Sequence, residues 1–302
     1  MSWHGVFPAI TTPFAEDLSV DHALLARHAS WMLESGCTGL VALGSLGEGA
    51  ALSREEKLAV LRTCAAAIGG SGAKKRAPLL AGIAALSTAD AVALARSAQE
   101  AGADGLMVLP PWVYRGDAHE TLTHLGAVLA ATPLPAMLYN NPIAYGTDVL
   151  PGQVAQLAAR HSNLVAIKES SGDVRRITQL RAALGNRLAL FVGIDDMLVE
   201  GVAAGAVGWV AGLVNAFPAE SVRLLELART GAWDEARALY EWFLPLLRLD
   251  TVPKFVQEIK LVQAEVGWGS ERVRPPRLPL GAAEGEATRA VLRLALLQRQ
   301  TA

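Results

Sequence analysis

A repeating alternation of short apolar runs and amphipathic segments is the feature that most restricts the folds open to this chain of 302 residues. Apolar runs bounded by turn residues are typical of buried strands, and the segments between them have the i, i+3, i+4 spacing of helices. Eight strand–helix units with right-handed crossovers form a parallel sheet that closes on itself. The chain is therefore predicted to be an α/β protein with a (β/α)8 TIM barrel. The predicted strands are Gly5–Thr12, Gly39–Ser45, Pro78–Ile83, Gly105–Pro110, Ala136–Asn140, Leu164–Glu169, Leu188–Ile194 and Gly208–Leu213.

Capping residues mark several of the helix starts. A side-chain oxygen just before a helix accepts a backbone N–H of the first turn, and a carboxylate three residues later can reciprocate. These signals place helices after the second, third, fourth and sixth predicted strands. The predicted caps are Ser53 with Glu56, Ser87 with Asp90, Asp117, and Asp173.

The strand signal stops after about Phe217, and the rest of the chain has helical spacing. Pro245 is expected to kink or end its helix, because proline removes one backbone hydrogen bond. We therefore predict a barrel domain over residues 1–225 and a C-terminal helical domain over residues 226–302. The predicted helices are Pro218–Thr230, Trp233–Leu249, Pro253–Glu265 and Glu284–Gln298.

Composition narrows the expected partners and location. The formal net charge is −2, and no Lys/Arg-rich cluster gives the electrostatic footprint of a protein that binds nucleic acid or a membrane surface. No apolar run approaches the roughly 20 residues of a membrane-spanning helix. Cys37 and Cys64 are too few for a disulfide framework and lack metal-site spacing. The N-terminus lacks signal-peptide features, so a cytoplasmic protein is expected.

Lys168 stands at the end of the apolar run Leu164–Ile167, where a barrel strand would deliver it to the active-site face. Desolvation disfavours the ammonium form, so a buried lysine is partly a neutral amine that attacks carbonyl or imine carbons. A structural lysine that extends from the strand end into solvent fits the same residues. The run alone leaves both interpretations open.

Two further candidates lie on other strand ends. Tyr139 closes the preceding predicted strand, and neighbouring strands lie about 4.8 Å apart, so its phenol could exchange protons with a substrate on Lys168. A core tyrosine is the alternative. The GSLGEG stretch, Gly44–Gly49, could expose backbone N–H groups to a carboxylate, with Ser45 adding a hydroxyl. An ordinary tight turn fits it equally.

Other chemistries find little support in the sequence. His119 and His124 are spaced about 140° apart on a helix and cannot chelate like a HExxH pair. The chain has no GxxxxGK[ST] phosphate loop and no GxSxG nucleophile elbow. A lysine, a tyrosine and a Gly-Ser loop on strand ends indicate Schiff-base chemistry with no metal and no organic cofactor.

These motifs together resemble the dihydrodipicolinate synthase / N-acetylneuraminate lyase family. The resemblance covers essentially the whole chain and includes GVFPAITTPF, GSLGE, YNNPxxxG and IKESSGD. It implies a barrel with a C-terminal helical domain, usually tetrameric, that acts on a small keto or imino acid. Lys168 matches the Schiff-base lysine, Tyr139 the proton-relaying tyrosine and Ser45 the first hydroxyl of the loop. The substrate-binding positions expected from it are Gly44, Leu46, Gly47, Asn141, Gly193 and Val210.

Departures from the family pattern narrow the expected substrate. Leu46 stands where the synthase and the sialic-acid lyase have a second threonine, and Ala144 where the synthase has a carboxylate-binding arginine. Stretches such as VAIKESSGDVRR and GAVGWVAGLVNAFPAE are similar to a subgroup of hydroxyproline breakdown, the 1-pyrroline-4-hydroxy-2-carboxylate deaminases. That likeness implies conversion of a cyclic hydroxy-imino acid to 2,5-dioxopentanoate and ammonia.

Two alternatives remain open on the sequence. The same lysine and tyrosine would serve an aldolase or dehydratase of an open-chain 2-keto-3-deoxy or 4-hydroxy-2-oxo acid. A catalytically silent barrel that binds a small acid as a sensor is the other. Pyruvate separates the first from the deaminase, because an aldolase that releases pyruvate must bind it.

Overall fold

The computed structural model describes residues 3–69 and 77–299. It contains eight strands, each shorter than or equal to its predicted run, and the prediction of β5 and β6 is confirmed at both ends. The strands are β1 Gly5–Pro8, β2 Leu40–Ala42, β3 Leu79–Ile83, β4 Gly105–Val108, β5 Ala136–Asn140, β6 Leu164–Glu169, β7 Ala189–Val192 and β8 Gly208–Ala211.

All the strand pairs are parallel, and the sheet runs in the order β1-β8-β7-β6-β5-β4-β3-β2. A parallel bridge between Ala9 and Val41 joins the chain after β1 to β2, the two ends of that order. The carboxyl ends of all eight strands therefore surround one mouth. The predicted (β/α)8 barrel is confirmed.

Helices surround the sheet and continue beyond it. The part of the chain that the structure describes has no helix long and apolar enough to cross a membrane. The helices are α1 His22–Glu34, α2 Arg54–Ile68, α3 Thr88–Glu100, α4 Ala118–Leu129, α5 Pro142–Tyr145, α6 Pro151–Arg160, α7 Arg175–Leu184, α8 Leu198–Ala203, α9 Pro218–Thr230, α10 Trp233–Leu247, α11 Phe255–Glu265 and α12 Ala282–Gln298.

Most of the predicted caps are present, with two corrections. Ser53 and Asp117 form reciprocal capping boxes with the residues three positions later. The Ser87 hydroxyl accepts the Asp90 N–H, as predicted. The Asp90 carboxylate, however, accepts a hydrogen bond from the Ser87 hydroxyl and not from the Ser87 backbone N–H. Val174 stands at the N-cap position of α7 and makes no side-chain cap bond, whereas Asp173 Oδ1 accepts the Arg175 N–H at 3.1 Å, as expected of a cap, and also pairs with the Arg175 guanidinium.

The C-terminal helices follow the predicted order. Pro245 lies inside α10, which continues to Leu247 and then tightens into a 3-10 turn at Arg248–Asp250. The structure therefore contradicts a helix end at the proline itself, since two more residues remain helical. The boundary at residue 225 lies within α9, and the division into two domains stays a proposal.

Aromatic rings pack in the barrel beside the first residue of β8 and the residue that precedes β2. Phe7 on β1 and Phe191 on β7 meet edge-to-face with ring centroids 5.2 Å apart. A Cβ on Gly208 would lie 2.3 Å from the Phe191 ring, and one on Gly39 would lie 2.6 Å from the Phe7 ring. Glycine at these positions leaves the volume that the two rings occupy, because protein interiors are packed without spare space.

We expect Gly208→Ala to lower the free energy of unfolding by about 1–3 kcal/mol, because the methyl group overpacks the core against Phe191. Gly152→Ala is the matched control, since no heavy atom lies within 4 Å of its Cβ position and it lies in α6. Alanine is the better helix former, so this variant should be unchanged or slightly more stable. Urea denaturation measures both, and equal stabilities of the two variants would contradict this packing argument.

Candidate active site

Lys168 and Tyr139 stand side by side at the mouth of the barrel. They are paired in register on β6 and β5, and the Lys168 amine lies 4.2 Å from the centroid of the Tyr139 ring. Only 6% of Lys168 and 5% of Tyr139 is exposed. The interpretation of Lys168 as a lysine that extends into solvent is therefore wrong, because the barrel wall covers it.

Burial changes the protonation of the Lys168 amine. Desolvation lowers its pKa, and the negative charges of Asp250 and Asp195 act in the opposite direction. A lowered pKa increases the fraction of neutral amine at neutral pH, which is the nucleophilic form. Gly193 makes room for this side chain, since a Cβ there would lie 2.7 Å from the Lys168 Cε and Cγ atoms.

Hydroxyl groups line the side of the site next to Lys168. Asn141 Nδ2 donates a hydrogen bond of 2.9 Å to the Tyr139 hydroxyl, and Ser45 Oγ is hydrogen-bonded to the Tyr145 hydroxyl. Burial raises the pKa of Tyr139 and raises that of Tyr145 to about 12. Both phenols therefore hold their protons at neutral pH and can donate them. The rings of the two tyrosines meet edge-on, 6.1 Å apart.

The GSLGEG loop has a strained backbone. Leu43 and Glu48, which flank its first four residues, have φ values of +65° and +51°. Residues that carry a Cβ rarely adopt this left-handed backbone conformation, and those that do are concentrated at functional sites. Among the described residues, the amides of Ser45–Gly47 donate to no backbone carbonyl. These N–H groups are consistent with the predicted anion-binding turn.

A buried ion pair holds this loop from the C-terminal region. The Lys260 amine, on α11, lies 2.5 Å from Glu48 Oε1, with 2% of the lysine and none of the Glu48 side chain exposed. The second oxygen, Oε2, accepts the Arg274 N–H at 3.0 Å. Burial lowers the pKa of Lys260 to about 8, which leaves it mostly charged at pH 7. The left-handed conformation of Glu48 therefore depends on groups about 210 residues away in the chain.

We expect Lys260→Met to lower the free energy of unfolding by about 3 kcal/mol, because it leaves the Glu48 carboxylate buried without its main cation. Lys254→Met is the control, since Lys254 pairs with Glu284 at a distance of 2.5 Å while both side chains are about half exposed. Exposed pairs contribute less than about 1 kcal/mol. Thermal and urea unfolding distinguish the two, and equal losses would mean that burial of the Glu48 pair is unimportant.

Two carboxyl groups lie on the β7–β8 side of the mouth, one on the fully buried Asp195 and one on the partly exposed Asp250. Asp195 accepts hydrogen bonds from the backbone N–H groups of Gly212 and Leu213 and from Trp209 Nε1. Burial raises its pKa to about 6 against these hydrogen bonds, which favour the charged form. Asp250 lies beside Gly212, and its Oδ1 atom has no hydrogen-bond partner among the described residues.

The structure thus brings Lys168, Tyr139 and Ser45 to one mouth, as the sequence predicts. Leu46 and Val210 are buried. Asn141 bonds Tyr139 and also caps α5. Neither the pairing of Tyr145 with Ser45 nor the position of Asp250 was predicted from the sequence. A tyrosine six residues after Tyr139 was the available signal for the first, whereas nothing local ties Asp250 to Lys168.

Comparison with known proteins gives consistent matches along the whole chain. A sequence profile described as the dihydrodipicolinate synthetase family matches residues 2–295. The 4-hydroxy-tetrahydrodipicolinate synthase of Pelobacter propionicus is 31% identical over 95% of this chain and 96% of its own length. The enzyme of that name from Acidiphilium cryptum is 32% identical over 97% of both.

A solved structure with the same fold gives a parallel result. The chloride-inhibited dihydrodipicolinate synthase from Acinetobacter baumannii, complexed with pyruvate, superposes with a TM-score of 0.91. It is 29% identical, and the match covers 97% of this chain and 98% of that one.

Proposed function

The chain belongs to the dihydrodipicolinate synthetase family, and on that premise we propose that it is a Schiff-base-forming deaminase. Its substrate would be 1-pyrroline-4-hydroxy-2-carboxylate and its products 2,5-dioxopentanoate and ammonia. The observation on which this depends most is the buried Lys168 amine, with a lowered pKa, packed against the Tyr139 ring. No metal or organic cofactor enters the proposed reaction.

In the first step the neutral Lys168 amine attacks C2 of the cyclic imine. The C2–N1 bond then breaks, the electron pair goes to nitrogen, and protonation leaves a free amine on C5. The carboxylate of the substrate would face the amides of the Gly44–Gly47 turn, beside the Ser45 hydroxyl. Lys168 is now an imine, which can accept electrons from the neighbouring carbon.

Next, the C3 proton leaves and an enamine forms. Tyr139 lies beside the Lys168 amine and would donate its proton to N1 when the ring opens. As a phenolate it would then accept the C3 proton, with Asn141 orienting its oxygen. The enamine expels the 4-hydroxyl as water, and proton shifts convert the C4–C5 unit to an imine. Hydrolysis there releases ammonia and the aldehyde, and a second hydrolysis frees Lys168. One water leaves and two are consumed, which balances the overall reaction.

The substitutions in the family pattern support a compact substrate. Leu46 is a buried apolar side chain in the Gly44–Gly47 turn, where the resemblance leads us to expect threonine in the synthases. Ala144 has a methyl group where an arginine would hold a second carboxylate. A five-membered ring with one carboxylate needs neither of these polar groups.

The competing function is an aldolase or dehydratase that acts on an open-chain hydroxy-oxo acid. The Acinetobacter baumannii structure, named as a complex with pyruvate, favours this alternative because the chain is similar to it throughout. Both functions use an imine on Lys168 and differ in which acid forms it.

We expect borohydride to trap a five-carbon adduct on Lys168 when the protein is incubated with 1-pyrroline-4-hydroxy-2-carboxylate. Pyruvate should give little adduct. Peptide mass spectrometry locates the modification, which Lys168→Met should abolish. The rate of trapping should rise with pH, because only the neutral amine attacks. It should reach half its maximum below pH 10.5, the ordinary pKa of lysine, because burial lowers the pKa of Lys168.

Lys57→Met is the control for this experiment. Burial also lowers the pKa of Lys57, but this residue lies on α2 outside the mouth of the barrel. The adduct should survive that substitution unchanged. Strong trapping of pyruvate on Lys168, with little from the pyrroline, would support the aldolase instead. Absence of any adduct on Lys168 would remove the imine mechanism.

We also propose that the protein assembles as a homotetramer, as the family resemblance implies. Val113 and Tyr114, in the segment after β4, are apolar or aromatic and more than half exposed, which suits contact with another subunit. Sedimentation velocity should give about four times the chain mass of 31.8 kDa. A monomeric species at micromolar concentration would contradict this assembly.

A further inference from the structure

Asp250 is brought to the mouth of the barrel by the turn that follows α10. Its carboxyl group lies against Gly212, just beyond the end of β8. A Cβ on Gly212 would lie 2.0 Å from Asp250 Oδ1 and 2.4 Å from its Cγ. Glycine at position 212 is therefore what allows the carboxyl group to approach the strand end.

The hydrogen bonding of Asp250 is incomplete. Its Oδ1 atom is buried and has no partner among the described residues. Buried polar atoms are nearly always hydrogen-bonded, and an unmade bond costs about 1–3 kcal/mol. Asp195 next to it shows the contrast, since its oxygens accept bonds from Gly212, Leu213 and Trp209. Asp195 thus supports the backbone after β8, whereas the Oδ1 atom of Asp250 accepts no hydrogen bond from the described residues.

Asp250 also lies within electrostatic range of the proposed reacting groups. In its ionised form it raises the pKa of the Lys168 amine and of the Tyr139 phenol. Burial and the charges of Asp195 and Asp196 raise the pKa of Asp250 well above its usual range, although the charge of Lys168 opposes them. A carboxyl group in this environment retains a proton that an exposed aspartate would have lost.

We propose that Asp250 is the proton donor to the hydroxyl group that leaves C4 of the substrate. This inference rests on the proposed deaminase function. In the enamine formed on Lys168, the C4–O bond breaks and its electron pair goes to oxygen. The Asp250 proton converts the departing oxygen to water, and Asp250 becomes a carboxylate. The electrons of the enamine form the new C3–C4 double bond and restore the Lys168 imine.

Other groups near Lys168 are engaged in other contacts. Tyr139 lies against the Lys168 amine, where it serves C3, and Ser45 is bonded to Tyr145. Asp195 accepts bonds on both of its oxygens. Asp250 approaches from β8, two strands from the β6 strand that holds Lys168.

The test uses Asp250→Asn in the full-length protein, with three measurements on 1-pyrroline-4-hydroxy-2-carboxylate. These are release of 2,5-dioxopentanoate, the borohydride adduct on Lys168, and deuterium uptake at C3 of recovered substrate above the rate without enzyme. We expect product release to fall by about 100-fold or more, the usual effect of losing a general acid. The adduct and the C3 exchange should remain, because Lys168 and Tyr139 are unchanged.

Asp234→Asn is the control, because the Asp234 side chain on α10 is 94% exposed and its charge is not among those that shift the pKa of Lys168. It should behave like the unmodified protein. Asp250→Ser provides a second, smaller variant and should show the same separation of exchange from product release.

Three results would overturn the proposal. Product release by Asp250→Asn within tenfold of the unmodified protein would exclude Asp250 as the donor while leaving the deaminase intact. Joint loss of adduct, exchange and product in both variants would mean that Asp250 maintains the structure of the mouth instead. If the unmodified protein forms the adduct but releases no 2,5-dioxopentanoate, the deaminase function fails, and this proposal fails with it.

Discussion

The desolvation of one amine is the constraint on which the rest of this structure depends. Lys168 is 6% exposed in the wall of a closed barrel, where its ammonium form loses most of its hydration. Each surrounding feature accommodates that side chain or compensates for its burial. Gly193 leaves space for its methylene groups, the Tyr139 ring lies beside its amine, and Asp195 provides opposite charge.

The C-terminal region completes the mouth of the barrel from outside. Lys260 on α11 holds Glu48 in a left-handed conformation, which shapes the turn where we propose that the substrate carboxylate binds. The turn after α10 brings Asp250 to the end of β8. The barrel strands supply the Lys168 amine and the Tyr139 phenol. Lys260 and Asp250, which act on residues about 80–210 positions earlier in the chain, come from the C-terminal region. The proposed catalytic unit therefore includes both predicted domains.

Much of the architecture could be predicted because its causes are local. Alternation of apolar runs with amphipathic segments identified all eight strands, and β5 and β6 were predicted to the residue. The departures from prediction were also local in cause. Asp173 was predicted to cap α7, and its carboxylate accepts the Arg175 N–H and pairs with the Arg175 guanidinium, but Val174 stands at the cap position. Pro245 was expected to kink or end its helix, and the structure contradicts only the ending, because α10 continues for two residues beyond it.

The sequence by itself determined the barrel, the position of Lys168 and Tyr139 on adjacent strand ends, and the glycine-rich turn with Ser45. It could do so because strand periodicity and strand order assign each of these residues to a position on one rim. The tertiary structure alone decided that Lys168 is buried, that Tyr145 bonds Ser45, that Lys260 holds Glu48, and that Asp250 lies beside Gly212. These contacts join segments far apart in the chain, and their partners are selected by how the C-terminal helices pack over the mouth, which no local pattern records.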